Sequence, residues 1–157
     1  MAFRQRVAAP SAEKLGARFL VVQLHDTIFA IWADTVRGVL PPADVRPDAS
    51  VVLLGESYGH MQLAARLHLR EGSITADSRY VLCARGQARC VVSVDRVLGL
   101  TDIRCQDILP IPAMLQGNER LWYRGIFLFQ DGLALVLNPD WLLHEVEPAN
   151  QVLAAAP

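Results

Sequence analysis

The most constraining stretch of this chain is a pair of apolar segments, Tyr80–Ala84 and Arg89–Val94, held around Arg85-Gly86-Gln87-Ala88. A glycine opening a two-residue loop between strand-like runs is a hairpin signal, because tight turns with the strand twist need positive φ. With Gly86-Gln87 as the loop, residue 85 pairs with 88, 84 with 89 and 83 with 90. The chain is thereby committed to antiparallel β-structure at its centre, and Cys83 is placed opposite Cys90. The residues allow two outcomes there, since opposed strand positions approach within disulfide range. One is a cross-strand disulfide; the other is two buried thiols packing as small apolar groups, which a reducing compartment favours.

Other segments repeat this grammar. Arg18–Gln23 alternates and meets Ile28–Trp32 across His25-Asp26. Ile126–Phe129 meets Leu133–Leu137 through Gln130, Asp131 and Gly132, an Asp-Gly turn signal. Val51–Leu54 and His60–Leu63 are short strands flanking Gly55 and Gly59, and Ala64–Leu69 suits one amphipathic helical turn. Asp34–Leu40 fits either an irregular strand or a turn of helix. Pro41-Pro42 and Pro47-Asp48 punctuate a connection that is not regular structure. Asn138-Pro139-Asp140 starts a short C-terminal helix, asparagine capping and proline pre-set for the first helical position. Many short strands with turns every eight to twelve residues predict an all-β protein.

Length and composition narrow the function. At 157 residues, 52% hydrophobic, the chain can bury one core or two very small ones. Its net charge of −1 lacks the basic excess of a nucleic-acid binder. Fourteen of its fifteen basic residues are arginine, scattered with no run that forms a patch. Met1–Ala17 is charged and Pro-interrupted, a loose arm rather than a signal peptide or membrane anchor. Three cysteines without a secretory signal point to the cytoplasm. Neither nucleic acid nor direct membrane insertion is expected.

The chemistry of catalysis is not written here. His25, His60, His68 and His144 show no metal-ligand spacing, and Asp102 and Asp107 around Cys105 supply too few oxygens for a Ca²⁺ loop. No nucleophile elbow or phosphate-binding glycine loop occurs. No catalytic residue, metal or cofactor is predicted, and Trp32, Trp122 and Trp141 are assigned to packing.

Several segments, taken in order, resemble the CheW-like domain of bacterial chemosensory adaptors. Cys90–Leu100, Cys-Val-Val-Ser-Val-Asp-Arg-Val-Leu-Gly-Leu, matches the family's apolar strand followed by Val-Asp-x-Val-Leu-Gly-Val. Asp107-Ile108-Leu109-Pro110 falls where the family crosses from polar to apolar. Gly125–Leu143 resembles its closing hairpin and Leu-x-Leu-Asp-x-x-Leu-Leu ending, and Phe19–Ile31 its first hairpin. Val36-Arg37-Gly38-Val39-Leu40 resembles Val-Arg-Glu-Val-Leu. The resemblance spans roughly residues 18–146.

It implies two packed SH3-like five-stranded β-barrels with a short C-terminal helix. In this reading 1–17 is the arm, about 18–69 the first barrel, about 70–146 the second, with strands exchanged between them, and 147–157 a tail. It implies a non-catalytic adaptor that couples the cytoplasmic tip of methyl-accepting chemoreceptors to the regulatory domain of a CheA-type histidine kinase. Such an adaptor is cytoplasmic and recruited to membrane receptor arrays. Val36, Val39, Leu40, Val94 and Val97 occupy positions that line or support the receptor groove, with Leu54 and Gly55 beside them. One stretch departs from the family's Gly-Val-Ile-Asn-Leu-Arg-Gly-x-x-x-Pro-Val-x-Asp-Leu: the arginine position is Leu54, and only Gly55 and Leu63 are retained. Leucine supplies neither the charge nor the bidentate donor of arginine. The alternative is therefore a scaffold or localisation module of the same fold that recruits a different protein.

Overall fold

A computed structural model describes residues 16–70, 72–113 and 117–144. The strands are β1 (Gly16–Leu24), β2 (Thr27–Trp32), β3 (Val36–Leu40), β4 (Val51–Leu53), β5 (Glu56–Met61), β6 (Arg79–Arg85), β7 (Ala88–Val94), β8 (Arg96–Arg104), β9 (Tyr123–Phe129) and β10 (Gly132–Leu137). Helix α1 (Leu63–Arg66) is one turn, and α2 (Pro139–His144) follows β10. The strands form two five-stranded sheets, ordered β8-β1-β2-β10-β9 and β3-β6-β7-β5-β4.

The two orders follow one plan. Each sheet sets a hairpin at its centre (β1–β2 or β6–β7), runs a second hairpin parallel to it (β10 along β2, β5 along β7), and adds a single edge strand. The chain makes the second sheet from the unbroken segment 36–94 and the first from what lies on either side. The sheets therefore do not divide sequentially near residue 69: the segment of the second is inserted whole between the two that form the first. β1 begins at Gly16, inside the expected arm, while the rest of the arm and the 147–157 tail lie outside the described residues.

All four hairpins close through two residues, and the first of each pair has positive φ: His25 at 55°, Leu54 at 51°, Gly86 at 62° and Gln130 at 53°. The register at the central hairpin is the one the Gly86-Gln87 loop dictates, with Cys83 opposite Cys90. At the last hairpin the loop is Gln130-Asp131, and Gly132 pairs with Phe129. A Cβ on Gly132 would meet the Ile28 side chain at 3.4 Å, an ordinary contact, so packing does not demand glycine there. The ambiguous 34–40 stretch is both structures in turn, a 3-10 turn over Ala33–Thr35 and then β3, bulged between Val36 and Gly38.

Three apolar clusters hold the molecule. The largest lies between the sheets, with Leu20, Val22, Phe29 and Ile31 of the first facing Val81, Cys83, Cys90 and Val92 of the second. Leu63 and Leu67 around α1 and Leu142 and Leu143 of α2 join it. Each sheet also covers its other face: Phe19, Val21 and Phe127 in the first, Tyr80, Leu82 and Val91 in the second. Central strands are therefore buried on both faces. That is why Phe19-Leu20-Val21-Val22 and Val81-Leu82-Cys83-Ala84 are apolar throughout, and the alternation expected over Arg18–Gln23 does not hold.

The crossing from second sheet to first occurs at Asp95. Its amide donates to the Gln23 carbonyl (2.9 Å), and its carboxylate accepts from the His25 amide (2.7 Å). An aspartate after the β7 valine is thus an anchor for the β1–β2 turn. Gly99, at φ 142°, lies in a region other residues avoid, next to the bulge between Val21 and Val22. Asn138 caps α2 through Oδ1, which accepts from the Asp140 amide at 3.0 Å. Arg66 joins the helices: it lies 4.1 Å over the Trp141 ring and donates to the carbonyls of Trp141 (2.9 Å) and Leu142 (3.2 Å).

Two predictions follow from this packing. Cys83 and Cys90 are free, fully buried thiols, whereas Cys105 is free and exposed. The hydrogen bond to Cys90, and then burial, push the Cys83 thiol well above its usual range, so it does not supply thiolate. A chromogenic disulfide reagent is expected to titrate one thiol in the native chain and two more only on unfolding; rapid reaction of all three would contradict the buried pair. Gly125 is the second case. A Cβ there would lie 2.7 Å from Ile108 Cγ2 and 2.8 Å from the Leu109 carbonyl, where Leu109 and Ile126 exchange two backbone hydrogen bonds. Gly125→Ala is expected to cost about 1–3 kcal/mol by chemical denaturation.

Candidate protein-interaction surface

The residues singled out from sequence fall on β3, the β4–β5 turn, and the corner between β7 and β8. β3 and β4 are the outer strands of the second sheet, yet they converge: a Cβ on Gly38 would touch Leu53 Cδ2 at 3.4 Å. Leu40 and Leu53 both pack against the cluster on that sheet's own face. Val39 and Val52 instead turn outward, 38% and 67% exposed. Leu54, at the tip of the turn, is 93% exposed, and Gly55 follows it at φ 80°.

The other named positions belong to the core between the sheets. Val94 is buried within it, and Val36 and Val97 are half-buried against it. These three lie behind the exposed positions, and of the residues named from sequence Val39, Leu54 and Gly55 are the exposed ones. An aspartate at Val36 or Leu40 would therefore strain the fold as well as any contact, whereas Val39→Asp probes contact alone. Val52 was not singled out from sequence: Val51, Val52 and Leu53 are equally apolar, and no alternation marks which of them faces outward.

A second exposed apolar pair lies on the first sheet. Leu128 and Leu133 are directly opposed across β9 and β10, and are 73% and 52% exposed. Two ion pairs link neighbouring strands, Arg89 with Glu56 at 2.5 Å and Arg18 with Asp102 at 2.8 Å, the latter between β1 and β8. The Arg18 guanidinium, chiefly through its hydrogen bond, holds the Asp102 carboxyl below its ordinary range. Both groups are exposed, so the pair contributes little to stability. Burial, assisted by Glu119, pushes the Tyr123 hydroxyl up to about 12. Among the described residues no group of three or more His, Cys, Asp or Glu could hold a metal, and no helix is long and apolar enough to cross a membrane.

This geometry is that of a two-sheet β-fold presenting apolar side chains on outer strands and at a turn tip. Comparison with known proteins agrees with the architecture. No curated protein matches the sequence significantly. Among solved structures the chain is similar to the scaffolding protein TtCheW from Thermoanaerobacter tengcongensis, with 17% identity and a TM-score of 0.66 over 78% of this chain and 88% of that one. The family model described as CheW-like domain matches residues 18–147, and the chain belongs to the CheW-like domain family.

Proposed function

We propose that this chain is a non-catalytic chemosensory adaptor, which couples the cytoplasmic tips of methyl-accepting chemoreceptors to the regulatory domain of a CheA-type histidine kinase. The observation that carries the reading is the family match across residues 18–147 on a nested two-sheet fold. In this reading the sheets are two SH3-like barrels within a single domain of about 18–146. The chain works in the cytoplasm at receptor arrays, and it needs no cofactor and neither nucleic acid nor membrane insertion. Val36, Val39, Leu40, Leu54, Gly55, Val94 and Val97 form or support the receptor groove. Val39 makes the apolar contact, for which a helix tip is the suited partner, and Leu54 stands at the place where the resemblance puts a guanidinium donor.

Isothermal titration of the chain with the cognate kinase regulatory domain, and separately with a receptor-tip fragment, tests the proposal. Heat of binding with both is expected; no binding to either would overturn it. A second reading, a scaffold or localisation module of the same fold with another protein partner, is favoured by Leu54 standing exposed where the resemblance places an arginine. Leu54→Arg separates the two. The adaptor reading expects stronger receptor binding from the restored guanidinium, and the scaffold reading expects the chain's own partner to be held equally or less well.

A further inference from the structure

A cleft of about 360 Å³ opens where the two sheets meet, away from Leu54. Its walls come from both sheets: Trp32 ends β2, Asp34 sits in the 3-10 turn, Arg37 is on β3, Arg85 ends β6, Arg124 is on β9 and Pro139 starts α2. Three guanidinium groups that are far apart in sequence are thus brought to one opening. Arg85 and Arg124 take one oxygen each of Asp140, at 2.9 and 3.0 Å. Arg37 reaches only a backbone acceptor in the cleft, the Asp34 carbonyl, at 2.6 Å. The three arginines stand against two carboxylates, Asp34 and Asp140, leaving one positive charge over. Moreover, the one buried side-chain polar atom without a hydrogen-bond partner among the described residues, Trp32 Nε1, belongs to a residue of this same wall.

We propose that this cleft binds a carboxylate. One surplus charge suits a monoanion, and planar guanidinium forks match the two oxygens of a carboxylate. The volume admits a small organic acid or an acidic side chain, and both present the same group. Arg37 makes the direct pair. Arg85 and Arg124, already oriented by Asp140, supply the second donor. Binding here is independent of whichever protein engages Val39 and Leu54.

The test is a nuclear magnetic resonance titration of the full chain, following the Trp32 indole N–H and the arginine Nε–H signals. The probes are butyrate, N-acetyl-glutamate N-methylamide and inorganic phosphate, at constant ionic strength. Trp32→Phe assigns the indole signal. Saturable shifts of the Trp32 and Arg37 signals with at least one carboxylate probe are expected. Arg37→Gln should weaken binding about tenfold, and Arg46→Gln, at an exposed pair with Asp48, should leave it unchanged. Response to the blocked glutamate alone assigns the site to a side chain of a protein, and response to butyrate alone to a free acid. No saturable shift with either, binding of phosphate only, or equal losses in the Arg37 and Arg46 variants would overturn the proposal.

Discussion

Phe29→Ala is expected to lower the unfolding free energy by about 3–5 kcal/mol, the range for truncating a buried phenylalanine. Phe29 is 1% exposed and lies in the cluster between the sheets, stacked on Tyr123 with ring centroids 6.4 Å apart. Neither sheet can shift to fill the void without leaving the other, because Val81, Cys83, Cys90 and Val92 press on the same cluster from the opposite side. Domains of this kind are stable by only about 5–15 kcal/mol, so the loss is a large share of the total. Urea denaturation should show a lower midpoint and an unchanged slope, with both sheets melting together. A change below about 1 kcal/mol would mean that the inter-sheet cluster is not the main core.

Leu54→Asn should act in opposite directions on stability and on binding. The two-residue turn Leu54-Gly55 holds both residues at positive φ, 51° and 80°, which is the geometry for which Asn-Gly is preferred. Leucine pays twice there, through backbone strain and through an apolar side chain left in water. Asparagine adopts that conformation more readily, and a gain of about 1 kcal/mol in stability is expected. If the leucine serves a partner, the same substitution weakens that complex about tenfold or more, as removal of an apolar anchor does. Thermal denaturation and calorimetry on one protein sample read both effects. A variant that is more stable and binds equally well would remove Leu54 from the interface.

The legible parts of this fold were those fixed by neighbours in sequence. The Gly86-Gln87 loop set the pairing of Cys83 with Cys90 because a two-residue turn leaves one register open. Asn138 and Pro139 placed the start of α2 for the same local reason. The Asp131-Gly132 pair misplaced its turn by one residue, because the positive φ of the loop falls on Gln130 and Gly132 is already paired with Phe129. The nesting of one sheet inside the other was not legible. It depends on the parallel pairings of β2 with β10 and β5 with β7, which join residues distant in the chain and leave no periodic mark.

The candidate surface was legible only in part. Val36, Val39 and Leu40 were equivalent as apolar letters, and the bulge in β3 together with the approach of β4 decides which of them faces water. Arg37, Arg85 and Arg124 read as scattered charges and become a cluster only when the two sheets close.

In the proposed role one chain holds a receptor tip and a kinase regulatory domain at the same time, and sedimentation velocity of the chain mixed with both fragments tests it. One faster species containing all three components is expected, depleted of the receptor fragment but not of the kinase domain when Val39→Asp replaces the native chain. Three independently sedimenting components, with the chain carrying neither partner, would contradict it.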